Sequence, residues 1–493
     1  MIRAIPEDRL QIANDRPVRS DGDYVLYWMV AFRRTRSNFA LQHAVNCALE
    51  LGKPLLVFEP LRIGYRWASD RLHRFVIEGM CANRDDLAKK NVTYFPYVEP
   101  KKHAERGLLH QLAGRACTVV TDEYPCFFLP RMINAVQRNL PARLELVDSN
   151  GVIPLRWAER TFTVAHSYRR WMQKNILDAL MEFPAEDPLA KVKLPVLESV
   201  PEAVTRKWPA ANLERLLQAG GLKDLAIDHQ VVPGRVAGGS EEALKRYDRF
   251  LAERLQKYGS DRNHPDYHAT TNLSPHLHFG HISAHQLVSG VLDRENWNPE
   301  MASPANGKNH GFWNTSDEAE AFLDQVLTWR EIGFNMAFRH PDSYDKFESL
   351  PEWVQKTLAE HASDERPAIY DLGQFERAET ADEIWNAAQR EIVQTGLMHN
   401  YMRMLWGKKI LHWTESPRQA LRVMIELNNK YGLDGRDPNS YNGIFWVLGR
   451  YDRAWGPKRP VFGSVRYMTS DSTRRKLKLK QYLQRFGAAS VGA

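Results

Sequence analysis

A chain of 493 residues with 43% hydrophobic content is too long for one core and long enough for two or three domains. Its longest uncharged apolar stretches, such as Tyr24–Val30, are strand-sized, which excludes a bilayer-spanning helix, and Met1–Arg9 lacks the apolar core of a secretory leader, so a cytoplasmic location is expected. The net charge of +7 favours a polyanionic partner without requiring one, and Cys47, Cys81, Cys117 and Cys126, with no paired C-x-x-C spacing, argue against a zinc ribbon, disulfide framework or iron–sulfur cluster and for buried free thiols.

In chain order, strands are predicted at 23–30, 54–58, 92–95, 117–120 and 144–147, with helical spacing at 38–45 and 70–88 between them. Strands alternating with helices over this length predict a doubly wound, Rossmann-like α/β domain with a parallel sheet, placed at 1–162. No G-x-G-x-x-G follows the first strand, so a dinucleotide fingerprint is missing. From 163 to 239 the periodicity weakens, prolines recur, and the stretch ends in Gly238-Gly239; it reads as a long linker. Ser240, followed by Glu241 and Glu242, is expected to cap a helix, and strand signals nearly vanish from there on. Residues 240–493 therefore read as an all-α domain.

The densest part of that domain runs from 381 to 455 and holds five of the 14 tryptophans, Trp385, Trp406, Trp413, Trp446 and Trp455, interleaved with Arg, Asp and Asn. Such interleaving suits a buried redox pocket better than a plain apolar core. Trp406 and Trp413 are seven residues apart and so share a helix face, while Trp385 belongs to the preceding helix. Packing alone would also explain that spacing. Upstream, Thr270-Thr271 and Ser274 offer hydroxyls and backbone N–H groups at the start of a helix, which suits a phosphate, or an ordinary cap and turn.

Six motifs in order carry a more specific signal: Leu273-Ser274-Pro275-His276-Leu277-His278-Phe279-Gly280, Trp329-Arg330-Glu331, Trp385-Asn386-Ala387-Ala388-Gln389, Gly396-Leu397-Met398-His399-Asn400-Tyr401-Met402-Arg403-Met404, Leu433-Asp434-Gly435-Arg436-Asp437-Pro438-Asn439 and Asp452-Arg453-Ala454-Trp455. Together they resemble the photolyase/cryptochrome superfamily. The Leu433–Asn439 form and the later 459–468 run are most similar to class II cyclobutane pyrimidine dimer (deoxyribodipyrimidine) photolyases. The similarity covers nearly the whole chain and is strongest after Ser240.

The resemblance implies an N-terminal antenna domain, a linker and a helical FAD-binding domain. It implies FAD phosphates lined by Tyr258, Thr270, Thr271, Leu273 and Ser274, with Arg330, Asn386 and Gln389 near the rest of the cofactor. It further implies an Arg403–Asp434 pair beside the flavin ring, Asn428 at flavin N5, and electron transfer through Trp406 (proximal), Trp385 (middle) and Trp413 (exposed end). The working form would be FADH−, and the substrate a flipped-out pyrimidine dimer in ultraviolet-damaged DNA, single- or double-stranded. Trp329, Met404, Trp446 and Trp455 would wall the lesion, Asp452 and Arg453 edge it, and Arg262 and Asn263 reach lesion or cofactor. An antenna chromophore, deazaflavin or methenyl folate, is left open; no metal is implied, and a monomer is expected.

Two departures stand out. Where the family has a carboxylic acid one helical turn before the tryptophan of Trp329-Arg330, this chain has Gln325, with Asp324 beside it as a substitute after a small shift in register. The turn Gly449–Asp452 is one residue shorter than the class II form. Light-driven repair is the expected function, and a cryptochrome-type photoreceptor without repair activity is the alternative that Gln325 keeps open.

Overall fold

The computed structural model describes residues 3–90 and 92–487, so the outermost residues of the first and last expected domains lie outside the description. The chain forms two compact units that interleave along the sequence. The first comprises Met1–Glu159, Asn175–Tyr247 and Leu273–Gly290, and the second Arg160–Lys174, Asp248–Asn272 and Val291–Ala493. Most of the expected linker therefore packs with the first unit.

The first unit is built on a six-stranded sheet of order β1-β6-β5-β2-β3-β4: β1 (Leu10–Ile12), β2 (Tyr24–Trp28), β3 (Leu55–Leu61), β4 (Thr93–Val98), β5 (Ala116–Asp122) and β6 (Arg143–Val147). All neighbours are parallel except the β1 edge strand, which runs antiparallel to β6. Every residue of β2 and β5 is buried, as a strand covered on both faces requires. The switch in strand order falls at β2. Beyond its end the chain is held by Asp122, whose Oδ2 accepts the N–H groups of Val30, Ala31 and Phe32 at 2.7–2.9 Å while Oδ1 accepts the Tyr27 hydroxyl at 2.7 Å. Gly280 takes a left-handed backbone (φ 73°), and a Cβ there would overlap the Ala31 carbonyl.

Helix ends follow local chemistry. Asn38 accepts the N–H groups of Ala40 and Leu41 to start the helix Phe39–Leu51, Gly52 (φ 61°) ends it, and Ser69 caps Asp70–Ala88. A cavity of about 290 Å³ is lined by Trp28, Phe58, Arg62, Leu108, Met132 and Leu140, and the buried Trp28 indole N–H has no hydrogen-bond partner.

The second unit has no β-strand among the described residues. Its central helices are Glu383–Thr395, Asn400–Trp413, Pro417–Tyr431 and Pro438–Val447, three of them started by the side chains of Asp382, Ser416 and Asp437.

Three expectations need correction. The stretch 163–239 contains the 16-residue helix Ala165–Leu180, because its prolines begin only after that segment. Ser240 is itself the first helical residue, and its buried Oγ bonds to nothing, so it does not cap. The cysteines are free, but only Cys117 and Cys126 are buried; Cys47 and Cys81 are partly exposed. No helix among the described residues is long and apolar enough to cross a membrane.

Candidate active site

The predicted residues of the second unit centre on two places. The first is a π-helix, Asp324–Arg330, set between the helices Asp317–Leu323 and Glu331–Arg339. A π-turn holds one more residue than an α-turn, and such turns are common where function demands a particular side-chain direction. Here it places Asp324 five residues back beneath Trp329, whose indole N–H donates to Asp324 Oδ2 at 3.1 Å. Arg169 completes the arrangement, donating to both Asp324 oxygens at 2.6 and 3.1 Å. Asp324 is thus held by the guanidinium and the indole together, with three hydrogen bonds accepted on its two oxygens. Gln325 is half-buried and its amide makes no hydrogen bond among the described residues. Arg330 is buried over the Phe334 ring at 4.3 Å, with Nη1 unpartnered.

The second place is the packing of Glu383–Thr395 against Asn400–Trp413. Trp385 is fully buried, donates its indole N–H to the Trp406 carbonyl at 2.9 Å, and meets Trp413 edge-to-face at 6.0 Å. Trp406 donates in turn to Gln389 Oε1 at 2.9 Å. Trp413 is 6% exposed rather than open to solvent. Beyond it lies Tyr370, edge-on at 5.5 Å and partly exposed, with Lys409 over the indole at 4.9 Å. Gln389 and Asn386 are used internally: Asn386 exchanges three bonds with Thr380, and Gln389 holds the Trp406 indole. Gln389→Leu is expected to cost about 1–3 kcal/mol, because it leaves that buried N–H without an acceptor. Thermal unfolding of the two proteins checks this.

Arg403 Nη2 reaches both Asp434 oxygens at 2.9 and 3.1 Å, forming the ion pair anticipated from sequence. Asn428, from the neighbouring helix, is buried; its Nδ2 donates to Ser440 Oγ at 2.7 Å and Asn429 Oδ1 at 3.1 Å, leaving Oδ1 unpartnered. A buried carbonyl oxygen without a donor is costly unless something fills the place.

The remaining predictions are more scattered. Met404 and Trp446 are half-buried, while Arg453 and Trp455 are exposed. Asp452 Oδ1 accepts from the Trp455 indole at 3.2 Å and the Arg453 N–H at 2.9 Å. Tyr258 is buried edge-on against Phe250 and Phe322 at 5.6 and 5.3 Å, with the Arg262 guanidinium 5.5 Å from its ring centre. Asn263 is half-buried beside it. Thr270 bonds Asn272 at 3.1 Å, and Thr271 is half-buried. Leu273 and Ser274 belong to the first unit.

No family model matches the chain. It is, however, 32% identical over 482 residues to the deoxyribodipyrimidine photolyase of Methanothermobacter thermautotrophicus, covering 98% of each chain. It is also 32% identical to that of Arabidopsis thaliana over 93% of this chain and 88% of the relative, and 34% identical to that of Oryza sativa subsp. japonica over 94% and 87%. The chain belongs to the deoxyribodipyrimidine photolyase family. Among solved structures, a class III photolyase from Agrobacterium tumefaciens shares the fold with a TM-score of 0.66 at 18% identity, covering 94% of this chain and 86% of its own. Against that family frame, two residues gain interest that spacing never singled out. They are Tyr370, and the exposed Arg466, which lies 5.6 Å from the Trp446 ring and 5.0 Å from the Trp455 ring. Each reaches its aromatic neighbours only through the fold, so no sequence interval betrays it.

Proposed function

We propose that the chain is a light-dependent DNA repair enzyme that splits cyclobutane pyrimidine dimers in the manner of class II photolyases, with FAD as its working cofactor. The observation that carries this reading is the buried aromatic run Trp406, Trp385 and Trp413, on the same helix pair as Arg403, beside an Asn428 whose Oδ1 lacks a donor. Both orphaned atoms fit a reduced flavin: Asn428 offers an acceptor, which suits a protonated N5, and Arg330 Nη1 offers a donor. Arg403 and Asp434 would flank the ring with balanced charge, Asn386 and Gln389 would brace its surroundings, and Tyr258, Thr270 and Thr271 would line the phosphates. When bound, FADH− would lend one electron to the lesion under light and take it back once the cyclobutane bonds have parted.

The chain's own residues then have separable tasks. Trp329, Met404, Trp446 and Trp455 supply surfaces on which the flipped bases stack, and a dimer's distorted stacking lowers the cost of extruding it. Asp324 and Arg169 hold Trp329 in place. Gln325, with a free amide, can donate a hydrogen bond to a dimer carbonyl but cannot supply a proton. Arg262, Asn263, Asp452 and Arg453 edge the pocket. The cavity beneath Trp28 is the candidate place for a deazaflavin or methenyl folate antenna, its unpartnered indole N–H awaiting an acceptor. A cytoplasmic monomer acting on single- or double-stranded damaged DNA completes the reading.

Gln325 favours one second reading, a cryptochrome-type blue-light photoreceptor that signals without repairing. One experiment separates them. Photoreduced protein is mixed with ultraviolet-irradiated DNA, and dimers are counted after blue light and after darkness. Loss of dimers only in the light is expected; unchanged dimers with bound, reducible FAD would move the chain to the photoreceptor class. In the same assay Gln325→Glu is expected to raise the repair rate several-fold, because a protonated carboxyl donates a proton as well as a hydrogen bond.

A further inference from the structure

One buried cation of the second unit has no part in the chemistry assigned above. Lys408 follows Trp406 by two residues on the helix Asn400–Trp413 and is completely shielded from solvent. Loss of hydration brings its ammonium down from the ordinary lysine range to about 7; of the charged groups acting on it, Asp452 pulls that value up and Arg466 pushes it down. Among the described residues no carboxylate bonds to it. Its Nζ donates instead to the carbonyl of Val447, the last residue of the helix Pro438–Val447, where a cation meets the negative end of the helix dipole.

The residue before Val447 is Trp446, whose ring centre lies 5.3 Å from the same Nζ, within cation–π range. Asp452, the acid that acts on Lys408, accepts the Trp455 indole N–H on Oδ1 and leaves its buried Oδ2 without a hydrogen bond. Lys408 therefore holds the Trp446 indole in two ways, across its ring face and through the carbonyl that ends its helix. A methionine would fill similar volume with no desolvation cost, so stability alone gives little reason for a charge here.

We infer that Lys408 is a positioning residue for the flipped lesion, holding Trp446 through the end of its helix and across its ring face so that this indole forms a preset stacking surface. This rests on the repair reading above. It also makes lesion recognition sensitive to pH, because the grip weakens when the ammonium loses its proton.

The test uses the full-length, FAD-loaded protein in the dark. Fluorescence anisotropy compares a short duplex carrying one thymine cyclobutane dimer with its undamaged copy, from about pH 6 to about pH 8.5. The preference of the wild type for the damaged duplex is expected to fall by roughly five- to ten-fold as pH rises through the lysine titration. Lys408→Met is expected to sit at the weaker level throughout, with no pH step and unchanged flavin absorbance. Trp446→Ala should lose most of the preference, and Lys408→Met should add nothing in that background, since two residues acting through one contact are not additive.

A flat wild-type profile would overturn the inference. So would additive losses in the double variant, or an equal weakening on undamaged DNA, which is what a merely structural helix cap predicts. Should Lys408→Met fail to fold, the wild-type pH step and its disappearance in Trp446→Ala decide the matter alone. A wild type with no preference for damaged DNA at any pH would instead overturn the repair reading, and this inference with it.

Discussion

Trp385→Phe is expected to bring light-driven reduction of the bound flavin down to background while leaving repair by chemically reduced protein largely intact. Trp385 is fully buried, edge-on to the Trp413 ring at 6.0 Å and bonded through its indole N–H to the Trp406 backbone carbonyl, so it is joined to both other tryptophans. Phenylalanine fills most of the same volume, but its ring is far harder to oxidise and has no N–H to give. The smaller ring leaves a void costing roughly 1–3 kcal/mol, so flavin content must be measured alongside. Two light experiments check the expectation: flavin absorbance followed under blue light with an external reductant, and dimer loss after dithionite reduction. Equal loss in both would mean that Trp385 supports the cofactor site as a whole and not a path of electrons to it.

Arg169→Met is expected to destabilise the protein by about 3–5 kcal/mol, because it strands a buried carboxylate. Arg169 and Asp324 each keep only 10% of their side-chain surface, and the two bonds between them, at 2.6 and 3.1 Å, leave Asp324 one further partner, the Trp329 indole. Without the guanidinium, Asp324 must take up a proton or draw in water, and either change alters what Trp329 rests on. Urea unfolding gives the stability loss. Weaker binding of dimer-containing DNA, beyond any change on undamaged DNA, would show that the damage reaches the tryptophan. Asp324→Asn in the same background should recover part of the stability, since it removes the stranded charge.

The parallel sheet was legible because its strands are largely buried and therefore read as short apolar runs: β2, β3, β4, β5 and β6 overlap the stretches 23–30, 54–58, 92–95, 117–120 and 144–147. β1 escaped notice because three edge residues, half-buried or exposed, leave no such run. The Arg403–Asp434 pair was legible only through resemblance, since no local rule links residues 31 apart. The tryptophans' order was likewise suggested by motif, whereas the bond from the Trp406 indole to Gln389, a residue expected near the cofactor, needed the fold. The pairing of Asp324 was hidden for a related reason. Its partner Arg169 lies 155 residues away, in the stretch read as linker, and nothing in the motif around Trp329 announces a cation arriving from there.

The π-turn at Asp324–Arg330 carries a consequence for how this site can change over generations. An extra residue in one turn lengthens a helix while its wider winding keeps the flanking faces aligned: deleting a single codon among 326–328 would restore α-helical winding and leave Asp324 four residues, about one turn, before Trp329. The acid would then take the sequence position that Gln325 holds now, on the face Asp324 already occupies, so chain length as well as side-chain identity sets which residue stands one turn before the tryptophan.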